Sequence, residues 1–117
     1  MKTLPYESSR EGWHFLAQDR KLRYDDNRLV KVGVPLDCKG KPKLCCNGMH
    51  ASPTLLSALS YAPGLVACEV RITGVTEGDI DKFVGNERTV LRMVDMLPVI
   101  AEFAEWCAGR ADRKSVV

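Results

Sequence analysis

Three short segments of the chain have the residue pattern of β-strands. In the clearest one, residues 65–72, apolar side chains at every second position alternate with small or charged ones, among them Glu69 and Arg71. Such alternation gives a strand one apolar and one largely polar face, because successive side chains point to opposite sides. The aromatic-apolar run at 13–16 and the run at 29–32, which lies between a turn signal and a glycine, predict two further strands.

The segment 89–94 is compatible with two structures. Its pattern fits a strand, and it also fits a helix that runs on from Ile80, within the acidic turn predicted at 77–82. Gly85 interrupts such a helix, since glycine is unfavourable in a helix interior. We therefore favour a strand at 89–94.

Two helices are indicated by capping residues and apolar spacing. Ser52 and Pro53 suit the cap and the first position of a helix that stops at 62–64. Its apolar stripe consists of three leucines: Leu55, Leu56 and Leu59. Residues 97–107 carry apolar positions on one face and Gly109 follows them, which predicts a second helix. Together these elements predict an α+β fold with a small, mainly antiparallel sheet and two or three helices.

Length, composition and charge indicate one folded domain. The chain has 117 residues, of which 45% are hydrophobic and 27% charged, and these values exclude a largely disordered protein. We expect a single domain over 1–117, with loosely ordered ends at 1–10 and 110–117. The 17 basic and 15 acidic residues give a net charge of +2, which argues against an obligate nucleic-acid-binding protein.

The sequence also bears on the cellular compartment. The first residues contain no apolar core of a signal peptide, and no run of about 18 apolar residues is present that could span a membrane. The five cysteines are an odd number, which is typical of free thiols in a reducing compartment. We therefore expect a cytoplasmic protein without a membrane partner, and the pattern leaves its oligomeric state open.

Cysteine and histidine residues cluster in and just after an irregular loop rich in Gly, Pro and Lys. Cys38, Cys45, Cys46 and His50 lie close enough in sequence to suggest a zinc site. Adjacent cysteines rarely both point at one ion and no C-x-x-C pair is present, so we expect idle or buried thiols instead of bound zinc. A catalytic dyad of Cys45 or Cys46 with His50 or His14 is a further alternative.

Another pattern extends over most of the chain. Gly48 and His50 precede the first predicted helix, Tyr61 ends it, the strand at 65–72 follows, and Glu87 stands in the context N-E-R-T-V. In this order the chain resembles the ADP-ribosyltransferase superfamily. Poly-ADP-ribose polymerases in that superfamily carry a G-x-G-I-Y-F-A segment, a short helix ending in tyrosine, a strand and a later catalytic glutamate. His50 falls at the family's first tyrosine, Tyr61 at the second and Glu87 at the glutamate.

The resemblance implies a domain that binds NAD. His50 and Tyr61 would flank the flat nicotinamide ring, since aromatic faces stack on aromatic rings. Glu87 would stabilise the cationic sugar that forms as nicotinamide leaves, and Arg20 or Arg23 would contact the pyrophosphate. The resemblance thus gives catalytic roles to Glu87 and His50 and cofactor-binding roles to His14, Tyr61 and Ser52.

A second resemblance covers roughly residues 13–95 and is closer but assigns no activity. The chain is similar to small proteins of bacteriophages and bacteria with a C-x-x-G-[LF]-H-A-[SC] motif. The matching residues are Cys45, Gly48, His50, Ala51, Ser52, Tyr61, Glu69, Gly74, Asp81 and Lys82. Such a module fits a non-enzymatic protein that binds a host protein through aromatic anchors at Tyr6, Trp13, Phe103 or Trp106, although core positions are the simpler expectation for both tryptophans.

Metal analysis of the purified protein tests the expectation about the cysteines. We predict less than one zinc per chain, because the ligand spacing is poor for a tetrahedral site. One equivalent of zinc per chain, lost in a His50→Ala variant, would contradict this prediction.

Overall fold

Strands dominate the computed structural model, which describes residues 9–22, 26–38, 40, 42, 44 and 48–115, with residues 111–115 described by their backbone alone. The elements are β1 (Arg10–Leu16), β2 (Leu36–Asp37), β3 (Met49–Ala51), α1 (Leu55–Leu59), β4 (Val66–Thr73), β5 (Glu77–Gly78), β6 (Phe83–Gly85), β7 (Glu87–Asp95) and α2 (Leu97–Ser115). The predicted α+β class with mainly antiparallel sheets and two helices is confirmed.

The strands form a large and a small sheet. The large sheet has the order β1-β4-β7-β2 and the small sheet the order β3-β6-β5, and every pairing between these strands is antiparallel. The strands predicted at 65–72 and 89–94 are confirmed as β4 and β7, and the run at 13–16 lies in β1. In the register of the large sheet, Cys68 on β4 stands opposite His14 on β1 and Met93 on β7.

The main core lies between the two sheets. It combines the apolar face of β4 with the inward side chains of the small sheet, including Ile72, Met49 and Phe83. Gly12 on β1 permits this close packing, because a Cβ there would lie 2.5 Å from the carbonyl oxygen of Ser52 and 2.8 Å from the Phe83 ring. We call the side of the large sheet that faces this core its inner face.

The outer face of the large sheet divides into an apolar and a polar part. Phe15 and Ala67 contact Ala58 of α1 in a second, smaller apolar cluster. Beyond it, strand side chains form exposed ion pairs, Arg71 with Glu11 and Arg92 with Glu69. Glu69 and Arg71 thus lie on the largely polar face predicted for the strand at 65–72, and their partners lie on neighbouring strands.

The first helix begins later than predicted. Its N-cap is Thr54, whose hydroxyl accepts a 3.1 Å hydrogen bond from the Ser57 amide. Ser52 cannot serve as the cap because its main-chain N–H and C=O both bond to Trp13 at 2.8 Å. The predicted leucine stripe is also wrong: Ala58 is the buried residue of α1, and three leucines are exposed, namely Leu55, Leu56 and Leu59.

Two other sequence predictions differ from the structure. Residues 29–32 form no strand, because Leu29 and Val32 make isolated bridges to Lys21 and Val90 instead of a continuous ladder. The second helix does not end before Gly109, since α2 continues to Ser115.

The helix α2 packs differently from the expectation as well. All residues from Leu97 to Ala108 are exposed, and Trp106 is 52% exposed, so the core position expected for this tryptophan is wrong. Trp13 is half-buried beside the second cluster. No helix in the described part of the chain is long and apolar enough to cross a membrane.

Substitutions at Phe83 and Ile80 test where the core lies. Phe83 is 0% exposed and Ile80, three residues before it, is 91% exposed. We predict that Phe83→Ala lowers the free energy of unfolding by about 3–5 kcal/mol, because it leaves a cavity between the sheets. Ile80→Ala should change it by no more than about 0.5 kcal/mol. Urea denaturation of both variants checks this, and equal losses would contradict the placement of the core.

Candidate functional site

A buried arginine on β7 is the most unusual residue of the inner face. Arg88 pairs in register with Ile72 of the core and is only 6% exposed. Its Nη1 donates a 3.0 Å hydrogen bond to the main-chain oxygen of His50 on β3. The guanidinium therefore lies where β7 of the large sheet meets the small sheet.

The charge of Arg88 has no carboxylate partner among the described residues. The ion pairs in this part of the chain belong to three other arginines: Arg28, Arg71 and Arg92. Of the five N–H donors of a guanidinium, one is bonded to His50, and no fully buried side-chain nitrogen in the described residues lacks a partner. The two nitrogens of Arg88 without a partner in this part of the chain, Nε and Nη2, are consequently not fully buried.

Burial affects the protonation of Arg88 without removing its charge. It lowers the pKa of the guanidinium to about 10, so the group stays positive at neutral pH. The cost of burying such a charge amounts to several kcal/mol unless it is paired or well hydrogen-bonded. One carbonyl oxygen compensates only part of that cost.

His14 and Cys68 share the inner face with Arg88. His14 lies on the same side of β1 as the core residue Leu16 and stands opposite Cys68. Burial lowers the pKa of His14 well below 6.5, and the charges of Arg88 and His50 lower it further. Its imidazole is therefore neutral at pH 7.

Cys68 is held in its thiol form. Burial raises its pKa to about 11, although the charges of Arg88 and Arg20 act in the opposite direction. A thiol with such a pKa is a poor nucleophile at neutral pH, because the thiolate is the reactive form. We call the side chains of His14, Cys68 and Arg88, together with the carbonyl of His50, the Arg88 site.

The His50 ring lies on the other side of β3 from the core. Its neighbours Met49 and Ala51 are buried in the core, so the alternation along a strand directs His50 away from it. Its Nδ1 lies 3.2 Å from the Gly48 oxygen. Burial lowers the pKa of His50 and the Gly48 contact raises it, while the charges of Arg88 and Lys82 lower it further.

Tyr61 is connected to His50 through Lys82. The Lys82 ammonium lies 4.6 Å from the centre of the Tyr61 ring and is also near enough to His50 to lower its pKa. The Tyr61 hydroxyl donates a 2.6 Å hydrogen bond to Asp81. The two aromatic residues predicted to flank a ring are thus near the same cation.

The remaining residues of the predicted site are placed differently. Glu87 directly precedes Arg88 on β7, so its side chain points to the outer face, away from the Arg88 site. Ser52 is buried and its main chain bonds to Trp13. Arg20, predicted to contact a pyrophosphate, lies near enough to Cys68 to lower its pKa, and Arg23 is outside the described residues. Of the predicted set, His14 lies at the Arg88 site with its side chain and His50 with its carbonyl oxygen.

The structure describes only some of the cysteines that the zinc site and the catalytic dyad would use. The Cys38 thiol donates to the Gly40 oxygen at 3.6 Å, and Cys45 and Cys46 are outside the described residues. In the parts of the chain that are described, no three His, Cys, Asp or Glu side chains are grouped for a metal ion.

Arg88 itself was missed by the sequence analysis. The only local signal is its position two residues before Val90, because residues at i and i+2 share one face of a strand. A charged residue in such a position usually indicates the exposed end of a strand. Its burial depends on the register with Ile72, which the segment alone does not reveal.

Comparison with known proteins identifies a family and nothing more specific. No curated protein and no solved structure matches the chain. Residues 11–102 match the family model DUF7666, a domain of unknown function, and the chain belongs to this family. The membership confirms that most of the chain is a recurring domain.

The lowered pKa of His14 predicts how stability depends on pH. The unfolded chain takes up a proton near pH 6.5 but the folded chain only at lower pH, so the free energy of unfolding is highest above about pH 6.5 and falls as the pH drops below it. We predict that His14→Gln removes most of this fall. Urea denaturation from about pH 7.5 to about pH 5 measures it. His50→Gln should remove a smaller part of the fall, because the pKa of His50 is lowered less than that of His14. An unchanged pH dependence in His14→Gln would contradict the burial of His14.

Proposed function

We propose that this member of the DUF7666 family binds a small phosphate-bearing ligand at the Arg88 site, and that NAD, which the resemblance implies, is the first ligand to test. The observation that carries the proposal is the buried guanidinium of Arg88, which has no carboxylate partner in the described part of the chain. A bound phosphate would supply the missing negative charge.

The chemistry of a guanidinium favours phosphate as the partner. Its planar donors match two oxygens of a phosphate or carboxylate at once, and such charge-assisted bonds are stronger than neutral ones. Only one hydrogen bond of Arg88 is formed within the described residues, and Nε and Nη2 are not fully buried. A phosphate that reaches the site would bond to nitrogens that no described residue occupies.

Neighbouring groups add positive charge. Arg20 lies near enough to Cys68 to affect its pKa, and Lys82 does the same for His50. His14 is neutral in the free protein, in part because of the charge of Arg88. A bound anion would neutralise that charge and raise the pKa of His14, so binding should become tighter as the pH falls.

The proposal concerns binding and does not include transfer of ADP-ribose. Transfer in the superfamily that the chain resembles needs a carboxylate beside the ribose. The side chain of Glu87 points to the outer face of the large sheet, whereas Arg88 points to the inner face. A catalytic role for Glu87 with His50 would require the two to reach the same ligand from opposite sides of β7.

Ligand-dependent stability of two arginine variants tests the proposal. We predict that pyrophosphate, ADP-ribose and NAD raise the Tm of the wild-type domain, because a ligand at about 100 times its Kd adds about 2.7 kcal/mol. Arg88→Met should abolish these shifts. Arg92→Met should retain them, since Arg92 is exposed and pairs with Glu69 on the outer face.

Two control ligands and one control variant complete the binding test. Nicotinamide alone should give no shift, because it has no phosphate, and a dicarboxylate of similar length distinguishes phosphate recognition from general anion binding. Glu87→Ala should bind as the wild type does. Equal Tm shifts in wild type and Arg88→Met, or none with any phosphate compound, would contradict the proposal.

A second candidate function is recognition of a host protein. The observation that favours it is the exposure of α2, where Phe103 is 59% and Trp106 is 52% exposed. Both residues were suggested as anchors from the sequence, and large aromatic side chains contribute strongly to protein interfaces. Capture of a defined host protein that is lost in Trp106→Ala and retained in Leu56→Ala, a substitution on α1, would support this candidate.

A further inference from the structure

The helix α2 presents an apolar surface that no described residue covers. Five large apolar side chains of this helix are 40–59% exposed: Leu97, Val99, Ile100, Phe103 and Trp106. Monomeric proteins rarely leave such contiguous apolar surface uncovered, and helices gain most of their stability from packing an apolar face. We therefore expect another molecule to pack against this face of α2.

The spacing along α2 suits a helix as that covering surface. Val99, Phe103 and Trp106 follow one another at intervals of four and three residues, as at the contact positions of paired helices. The rings of Phe103 and Trp106 have centres 5.9 Å apart, and Ile100 and Cys107 widen this stripe on one side. A stripe of this width packs against another helix along its whole length.

The charges along α2 point to a second copy of the same helix. Its first half carries Glu102 and Glu105, and its second half begins with Arg110, within a segment, 110–114, that contains three basic residues and one acidic residue. When two such helices run antiparallel, the acidic half of each lies beside the basic half of the other. A two-fold axis near Trp106 makes this match self-complementary, as homodimers require.

We propose that α2 forms an antiparallel pair with α2 of a second copy of this chain, which makes the protein a homodimer. Phe103 and Trp106 would pack at the centre of the interface. The Arg110 guanidinium lies over the Trp106 ring at 4.8 Å, at the edge of the apolar stripe. From there it can reach Glu102 of the second copy. The Arg88 site lies outside this interface, so the proposal is independent of ligand binding. It is an alternative to host-protein recognition through Phe103 and Trp106, because both would use the same face of α2.

Sedimentation across a concentration series measures the predicted association. We expect a monomer–dimer equilibrium for the wild type and a monomer for the double variant Phe103→Glu, Trp106→Glu. Leu56→Glu is the matched control, because Leu56 is 77% exposed on α1 and lies outside the interface; it should remain dimeric. Circular dichroism confirms that each variant is folded.

A charge-reversal experiment tests the antiparallel arrangement. Glu102→Lys with Glu105→Lys in one chain, and Arg110→Glu with Arg113→Glu in another, should each weaken self-association by about tenfold or more. A mixture of the two chains should form a heterodimer, because opposite charges then face one another. Reversal variants that associate as tightly as the wild type would overturn the arrangement, and a wild type that stays monomeric at all concentrations would overturn the dimer.

Discussion

The burial of one guanidinium beside an apolar core is the constraint on which the account of this domain depends. Arg88 occupies a position of β7 that its neighbours Ile72 and Val90 mark as core, and it is 6% exposed. The fold compensates its charge with a carbonyl of the small sheet and no carboxylate among the described residues. A buried charge without a counter-ion lowers stability, and its presence is explained if it binds an anion.

The two faces of the large sheet make different contacts. The inner face packs against the small sheet, which is close enough because Gly12 has no side chain, and Arg88 is buried on this face. The outer face carries exposed ion pairs and the short helix α1. The long helix α2 follows β7 and leaves its apolar side chains exposed, so the proposed ligand binding and the proposed association use separate parts of the chain.

The sequence predicted those elements whose formation depends on residues close together in the chain. The strands β4 and β7 were predicted from alternation and from the glycine that excludes a helix, and the α+β class followed. Positions set by distant partners were not predictable: Ser52 does not cap α1 because it bonds to Trp13, and Arg88 is buried because β7 pairs with β4 in one register. The resemblance selected His14 and His50 near the site, but it also selected Glu87, whose strand position directs it elsewhere.

The free energy of unfolding of Arg88→Met without any ligand tests the central claim most directly. If Arg88 is a buried charge kept for an external anion, its replacement by an apolar side chain of similar length removes a desolvation cost and loses one hydrogen bond. The variant should then be at least as stable as the wild type, to within about 1 kcal/mol. A loss of about 3 kcal/mol or more would show that Arg88 is a structural residue satisfied within the fold, and would contradict the account.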